Sequence, residues 1–248
     1  MFPNRRSRPE LFLTLFFFRI PEVRRLLEPI YGKALKDHPN VQDVNNRPPV
    51  EGMGGCNSFF FTHEWLESRD ANMSALNERE AEFLVGFFDY LVLNGVDPSK
   101  ITVLTFYHGQ RKIIHKKLRQ HANLQTTPLL NVATVDSYQG EENDIVLLSL
   151  VRSNKRNNIG FLTVDNRVCV ALSRAKRGFY IFGNAEMLAK ESGTWAEIVE
   201  IMYGKAKSKT KTGQKHRVGY QFPLECVSHG HKTLIEGMLM CLFVPTPG

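Results

Sequence analysis

Apolar and polar positions follow two different periods along the chain, and these periods separate strands from helices. Short apolar runs bounded by turn residues predict strands at residues 58–62, 101–106, 130–135, 145–151 and 179–182. Apolar stripes at helical spacing predict helices at residues 20–38, 78–94, 109–121 and 168–175, and one that ends near residue 203. Because these strands and helices follow one another along the chain, the sequence predicts an α/β fold with helices flanking a mainly parallel sheet.

Single residues mark several boundaries of these elements. Pro29 interrupts the first helix, Asn77 is expected to cap the second, and Gly95 is expected to end it. Residues 39–57 are rich in Pro, Gly and Asn, which predicts a loop, and residues 64–75 are polar enough to be exposed.

The two ends of the chain differ in character from the part between them. Residues 1–19 are predicted to be an irregular start. Their apolar run at residues 11–18 is shorter than the roughly 20 residues that span a bilayer, and no small-residue cleavage site follows it as in a secretory signal. Residues 205–217 hold Lys and Arg without an acid, which predicts a solvated basic linker. The tail at residues 218–248 is too short to build a core of its own.

Composition and charge exclude several classes of protein. A content of 42% hydrophobic and 23% charged residues is globular, and it excludes a disordered or collagen-like chain. The 4 cysteines lie far apart, which is not the pattern of a disulfide scaffold and favours a reducing compartment. The net charge of +7 is concentrated in residues 1–25 and 205–217. The remainder is slightly acidic, so net charge is weak support for nucleic-acid binding.

A polar segment at residues 132–144 leaves one predicted strand and enters the next. Ligands bind at the carboxyl ends of parallel strands. There, Thr134 can offer a hydroxyl to a phosphate, the Gln139 amide can bridge two polar groups, and Glu142 can accept hydrogen bonds from sugar hydroxyls. On composition alone, an ordinary polar loop explains the segment as well.

Two further segments carry polar groups beside the predicted sheet. Arg167 and Arg174 are seven positions apart on a predicted helix, so both leave the same side, and a pair of guanidiniums suits a phosphate. Such a pair is more often a solvated face. After another strand come Tyr107, Gln110 and Arg111.

The three segments follow one another in a fixed order. They read Tyr107-x-x-Gln110-Arg111, then Val135-Asp136-Ser137-Tyr138-Gln139-Gly140-x-Glu142-x-Asp144, then Val170-Ala171-Leu172-Ser173-Arg174-Ala175-Lys176. This series resembles motifs IV, V and VI of superfamily 1 helicases. The Asn77-x-x-Glu80-Ala81 element looks like one that the up-frameshift, nonsense-decay type group carries ahead of motif IV. Within that group, residues 140–154 and 166–174 look most like the large zinc-finger helicases linked to RNA silencing and heterochromatin.

The resemblance covers about residues 20–190 and implies a second RecA-like domain, which we place at residues 20–204. It implies that Arg174 reaches the γ-phosphate of ATP as an arginine finger. It implies a second catalytic residue in Gln139, which would couple the nucleotide and nucleic-acid sites. Glu142 would hold the ribose, and Arg19 would be a second phosphate-sensing arginine.

The same resemblance implies partners. Thr134, Tyr107, Gln110 and Arg111 would face the backbone of single-stranded RNA or DNA. The other expected partners are the first RecA-like domain of the same motor and subunits of an RNA-silencing complex, in the nucleus or the cytoplasm, with no membrane.

The sequence also departs from the family. It has no Gly-x-x-x-x-Gly-Lys-Ser/Thr loop and no Asp-Glu pair for magnesium. We therefore expect ATP with Mg²⁺ to be held mainly by a first domain ahead of residue 1, unless the gene is truncated or incorrectly defined, and we expect the chain alone to be inactive. The alternative hypothesis is a non-enzymatic remnant that binds RNA or protein.

Two end segments depart as well. The family's Gln-x-Arg-Met-x-Pro is replaced by Phe17-Phe18-Arg19-Ile20-Pro21-Glu22, which keeps only the Arg and the Pro. Cys226, His229 and His231 could lead into a zinc-finger region. Zinc needs four ligands with spaced pairs, so an unmetallated tail is the favoured interpretation.

Overall fold

A parallel sheet of five strands is the centre of the fold. The computed structural model of the chain describes residues 20–32, 35, 47–127 and 130–203. Its strands are β1 (Ser58–Thr62), β2 (Ser68–Arg69), β3 (Ala75–Leu76), β4 (Ile101–Thr105), β5 (Asn131–Thr134), β6 (Asn143–Ser149) and β7 (Ala175–Gly183). The large sheet has the order β1-β7-β6-β4-β5, and each neighbouring pair is parallel. The predicted α/β fold with a mainly parallel sheet is confirmed.

Helices cover both faces of this sheet. They are α1 (Pro21–Arg25), α2 (Glu28–Tyr31), α3 (Glu78–Leu93), α4 (His108–Gln120), α5 (Asp165–Leu172), α6 (Ala185–Glu191) and α7 (Gly193–Tyr203). Successive strand residues point to opposite faces. Val103 and Leu147 therefore pack with α3 and α4, while Leu104 and Leu148 pack with α1, α5, α6 and α7.

The predicted first helix is two short helices. α1 ends at Arg25, and Pro29 lies in the first turn of α2. Proline fits there because the backbone N–H groups in the first turn of a helix have no acceptor within the helix. The N–H that proline lacks is therefore not missed by any helical hydrogen bond. The polar stretch at residues 64–75 contributes to a small antiparallel hairpin of β2 and β3, which the sequence did not predict.

The helix predicted at residues 168–175 ends earlier, and this corrects the position of Arg174. α5 stops at Leu172, and the Ser173 N–H closes its last turn on Cys169 O at 3.1 Å. Arg174 lies in the turn that follows, and Ala175 already begins β7. The apolar stripe continued through Ala175 because that buried residue serves the next strand.

The connection from β5 to β6 crosses β4 without an α-helix. At one end, the Val135 N–H donates to Thr105 O at the carboxyl end of β4, at 2.9 Å. At the other end, Asn143 Nδ2 donates to Ser99 O, which precedes β4, at 3.0 Å. Residues 135–142, called the crossing segment here, therefore connect the carboxyl edge of the sheet to its amino edge.

Several predictions fall outside the described residues. These are the irregular start at residues 1–19 with Arg19, the basic linker at 205–217, and the tail at 218–248 with its Cys226, His229 and His231. Within the part of the chain that the structure describes, no helix is long and apolar enough to cross a membrane.

Candidate functional site

The predicted site residues lie on two opposite edges of the sheet. Tyr107 and Thr134 lie at the carboxyl ends of β4 and β5. Glu142 and Arg174 directly precede β6 and β7, so they lie at the amino edge. The expectation that residues 132–144 gather at carboxyl ends is therefore wrong for Glu142. Gln139 lies between the two edges, in the crossing segment.

Arg174 is held in place by its own domain. Its Nη1 donates to Glu141 O at 2.9 Å, its Nε to Val170 O at 2.8 Å, and its Nη2 to Ser173 Oγ at 2.8 Å. A guanidinium has five N–H groups, so one N–H on each Nη still lacks a partner among the described residues. Burial lowers the pKa of Arg174, while Glu142 is among the neighbours that raise it. Since arginine stays charged at neutral pH, this edge presents a fixed cation with donors for an anion.

Glu142 lies beside this cation and is partly exposed. Its Oε1 is 2.8 Å from Lys176 Nζ, and its side chain is 41% exposed. A surface ion pair contributes only about 0–1 kcal/mol, so a sugar hydroxyl can compete for the carboxylate. Arg174 and Glu142 thus place a hydrogen-bond-donating cation and a carboxylate close together at the amino edge. Among the residues with described positions, no group of three His, Cys, Asp or Glu side chains could hold a metal ion.

Arg167 belongs to the carboxyl edge instead. Its Nε and Nη2 each lie 3.0 Å from a carboxylate oxygen of Asp136, the residue that opens the crossing segment after Val135. Arg174 contacts the far end of that segment. The two arginines therefore do not form the predicted pair on one phosphate, because α5 separates them and each is bonded at a different edge.

Thr134 and Tyr107 are buried at the carboxyl edge. The Thr134 hydroxyl donates to Ser137 Oγ at 2.9 Å. The Tyr107 hydroxyl accepts from Arg152 Nη1 and from the Phe161 N–H, both at 3.3 Å. Their predicted contact with nucleic acid stays a prediction, and the structure gives each side chain a partner inside the domain.

Gln110 and Arg111 are neighbours in α4 but differ in setting. Gln110 is fully buried: its Oε1 accepts from the Asn77 N–H at 2.7 Å, and its Nε2 donates to Ser149 Oγ at 3.0 Å. Arg111 is exposed in the first turn of α4. Arg111 is therefore available to a backbone phosphate, whereas Gln110 fixes the start of α3 against the end of β6.

The sequence did not single out a buried carboxylate network. Glu80 Oε2 lies 2.7 Å from His63 Nε2, and Glu80 Oε1 accepts from the Ser149 hydroxyl and from the Val151 N–H. Asn77 caps α3 by accepting from the Glu80 N–H. The Asn77-x-x-Glu80 spacing therefore serves a helix cap and a buried anchor. The sequence signal for this network was the position of Glu80, an acidic residue beside the apolar stripe of α3.

The sequence also did not single out Phe161, whose aromatic ring is exposed. It lies in the 3₁₀ turn Gly160–Thr163 ahead of α5, 48% exposed, and its ring packs against Tyr107. A single aromatic residue in a loop rich in Asn and Gly has no periodicity, so no pattern could have indicated it.

Comparison with known proteins gives a consistent family. Residues 19–186 match the family described as AAA domain. Helicase required for RNAi-mediated heterochromatin assembly 1 of Schizosaccharomyces pombe is 44% identical over 182 residues, which are 73% of this chain and 18% of that protein. NFX1-type zinc finger-containing protein 1 of Homo sapiens is 38% identical over 210 residues, 84% of this chain and 10% of that protein.

A third relative is Regulator of nonsense transcripts 1 homolog of Arabidopsis thaliana, 40% identical over 136 residues, which are 54% of this chain and 11% of that protein. The chain thus spans about a tenth to a fifth of the length of these curated relatives. The family match covers most of the chain, and the relatives include a helicase and a regulator of nonsense transcripts. The chain belongs to the AAA-domain family of superfamily 1 helicases, in the up-frameshift-like group.

Proposed function

We propose that this chain is the second RecA-like domain of an ATP-dependent RNA or DNA helicase, and that Arg174 is its arginine finger. The observation that carries the proposal is the setting of Arg174. Hydrogen bonds from all three of its nitrogens fix its guanidinium at the amino edge, and two N–H groups still lack a partner among the described residues. A preorganised cation of this kind stabilises charge that develops in a transition state.

In this proposal, each described residue has a separate task at the nucleotide. ATP, held with Mg²⁺ mainly by the first domain, supplies the phosphoryl group that is transferred to water. Arg174 donates to the γ-phosphate oxygens, and Glu142 accepts from the ribose hydroxyls. Gln139 lies in the crossing segment between the two edges, where it couples them. Arg19, which lies outside the described residues, keeps its proposed role as a second phosphate-sensing arginine.

The carboxyl edge is the proposed path of single-stranded nucleic acid. Arg111 is exposed there, at the start of α4, for a direct phosphate contact. The side chains of Thr134, Tyr107 and Gln110 are buried beneath this edge. The Thr134 hydroxyl reaches a phosphate only if its hydrogen bond to Ser137 Oγ breaks. The names of two relatives refer to RNAi-mediated heterochromatin assembly and to nonsense transcripts. We therefore propose a role in RNA silencing, with subunits of a silencing complex as partners, or in RNA surveillance.

The test joins this chain to the first RecA-like domain of a related helicase and measures ATP hydrolysis with and without single-stranded RNA. Arg174→Ala is expected to lower kcat on the order of 10³-fold while RNA binding is retained. Arg119→Ala is the matched control. Its guanidinium lies on the exposed end of α4, bonded to Thr127 O, and its removal should leave hydrolysis unchanged.

Two outcomes would contradict the proposal. Normal turnover by the Arg174→Ala motor would remove the arginine-finger role. A joined motor that binds RNA but shows no RNA-stimulated hydrolysis with the native Arg174 would instead support the non-enzymatic binding remnant.

A further inference from the structure

At the carboxyl edge, four side chains form a stack that runs from the interior to the surface. Arg152 Cζ lies 5.8 Å from the centroid of the Tyr107 ring, and the Tyr107 and Phe161 centroids are 5.5 Å apart. Arg167 Cζ lies 4.5 Å from the Phe161 centroid. Arg152 and Tyr107 are buried, whereas Phe161 is exposed and Arg167 is partly exposed. These four residues are called the edge stack.

Both ends of the edge stack are fixed by ion pairs. At the inner end, Arg152 Nε donates to Glu67 Oε2 at 2.9 Å. At the outer end, Asp136 holds two nitrogens of Arg167 at 3.0 Å each, which sets the plane of that guanidinium. A planar group held in this way loses little conformational freedom when a second planar group binds beside it.

The neighbours of Phe161 hold its ring at the surface. Leu162 is buried in the core, and its carbonyl oxygen accepts from Trp195 Nε1 at 2.9 Å. The Phe161 N–H is bonded to the Tyr107 hydroxyl. These contacts fix the backbone on both sides of Phe161, and the ring itself packs against Tyr107 and Arg167 at the surface.

Positive charge without a matching acid lies next to the stack. Lys155 and Arg156 are exposed in the turn that leads to Gly160, and neither forms an ion pair with another residue of the described ranges. Asn154 braces this turn, since its Nδ2 donates to Asn158 O at 2.8 Å. A planar aromatic–guanidinium surface beside exposed cations matches the chemistry of a base and its flanking phosphates.

We propose that the edge stack binds one base of single-stranded RNA or DNA. The base stacks on the outer face of the Arg167 guanidinium, which the Phe161 ring supports from the other side, and Lys155 and Arg156 contact the phosphates on either side. Tyr107 packs against the inner side of Phe161 and does not contact the base. This inference rests on the proposed function, because it requires a nucleic acid to follow the carboxyl edge.

The test measures binding of the full chain to a labelled uridine strand of about 12 nucleotides, by fluorescence anisotropy, beside an abasic strand of the same length. Stacking contributes about 1–3 kcal/mol per base, so Phe161→Ala, which removes the support of the Arg167 plane, should raise the Kd for the uridine strand about 5- to 150-fold. Binding of the abasic strand should not change. Phe161→Trp should restore binding, and Phe161→Leu, which keeps apolar bulk without an aromatic face, should not.

Lys155→Ala is the control for a phosphate contact. It should weaken binding of both strands and reduce the slope of log affinity against log salt by about 0.7, whereas Phe161→Ala should leave the slope unchanged. Equal uridine affinity of Phe161→Leu and the unchanged chain would overturn the base site and leave the proposed function standing. If the unchanged chain binds neither strand, both this inference and the nucleic-acid part of the proposed function fail.

Discussion

At residue 80, one carboxylate with no exposed surface joins elements that are far apart in the chain. Glu80 belongs to α3, and it bonds His63 beyond the end of β1 and Ser149 at the end of β6. A buried carboxylate is stable in a protein only when partners satisfy it. The partners of Glu80 are themselves buried, so each depends on the others.

Loss of this carboxylate should be strongly destabilising. Glu80→Ala leaves His63, the Ser149 hydroxyl and the Val151 N–H without their buried partner. Breaking a buried pair in this way costs about 3–5 kcal/mol, and we expect a loss of that size in the free energy of unfolding. Urea denaturation of the two proteins measures it.

Glu82 provides the matched control two positions later in the same helix. Its side chain is 59% exposed and pairs with Lys117 at 2.8 Å. Because an exposed ion pair contributes about 0–1 kcal/mol, Glu82→Ala should change stability by no more than that. Similar losses in the two variants would contradict the anchoring role of Glu80.

Gly160 begins the short 3₁₀ turn that carries Phe161, and its position allows no side chain. Its φ is +55°, and an added Cβ would clash with Arg152 Nη1 and lie 2.8 Å from the Tyr107 hydroxyl. Gly160→Ala should therefore destabilise the domain by more than the about 1–3 kcal/mol of backbone strain, since the edge stack must also move. Thermal unfolding measures the stability loss.

Gly140→Ala separates the two contributions. Gly140 has a φ of +88°, yet an added Cβ there would meet nothing within 4 Å. This variant should show the backbone strain alone. If Gly140→Ala and Gly160→Ala lower the Tm equally, the close contact with the edge stack does not matter.

At the scale of elements, regular strands and long helices could be predicted and their junctions could not. The run at residues 58–62 and the capped helix after Asn77 have strong local signals, and the structure confirms both. The end of α5 has no such local signal, because the apolar residue Ala175 belongs to strand β7 and is buried there. Local periodicity does not distinguish a buried helix residue from a buried strand residue.

For the candidate site, the motifs predicted which residues to examine, and their functional roles stay predictions, whereas their positions in the fold are now known. Arg174 and Glu142 do lie close together at one edge, as a shared nucleotide would require. The division into two edges could not be predicted, because it depends on a non-local pairing of β5 and β6 with opposite sides of β4. Phe161 depends likewise on tertiary contacts with Tyr107 and Arg167.

At the scale of the whole molecule, buried and half-buried tyrosines should make the domain sensitive to alkali. Burial raises the pKa of Tyr203 to about 12, and burial also raises the pKa values of Tyr31, Tyr138 and Tyr180. An unfolded tyrosine ionises near about pH 10. These groups therefore stabilise the fold fully below about pH 10, and that stabilisation is lost as pH rises toward and beyond 12.

The expected result is a free energy of unfolding that falls above about pH 10. The fall should be about 1.4 kcal/mol per pH unit for each tyrosine that is ionised only when unfolded. Urea denaturation from about pH 8 to pH 11 measures it. Tyr203→Phe should fall less steeply, by one such increment. A flat profile, or one unchanged by Tyr203→Phe, would contradict the prediction.

The crossing segment also determines where this domain tolerates extra residues. Parallel strands are usually joined by a dozen or more residues with a helix, whereas residues 135–142 run from one edge to the other without one. Both ends of this connection are fixed by hydrogen bonds. One inserted residue adds about 3.3 Å of extended chain, which must loop out between the two fixed ends and displace Gln139 from its place between the edges. Tags and insertions therefore belong at the exposed turn residues Gln125 and Thr126, which lie outside the crossing segment.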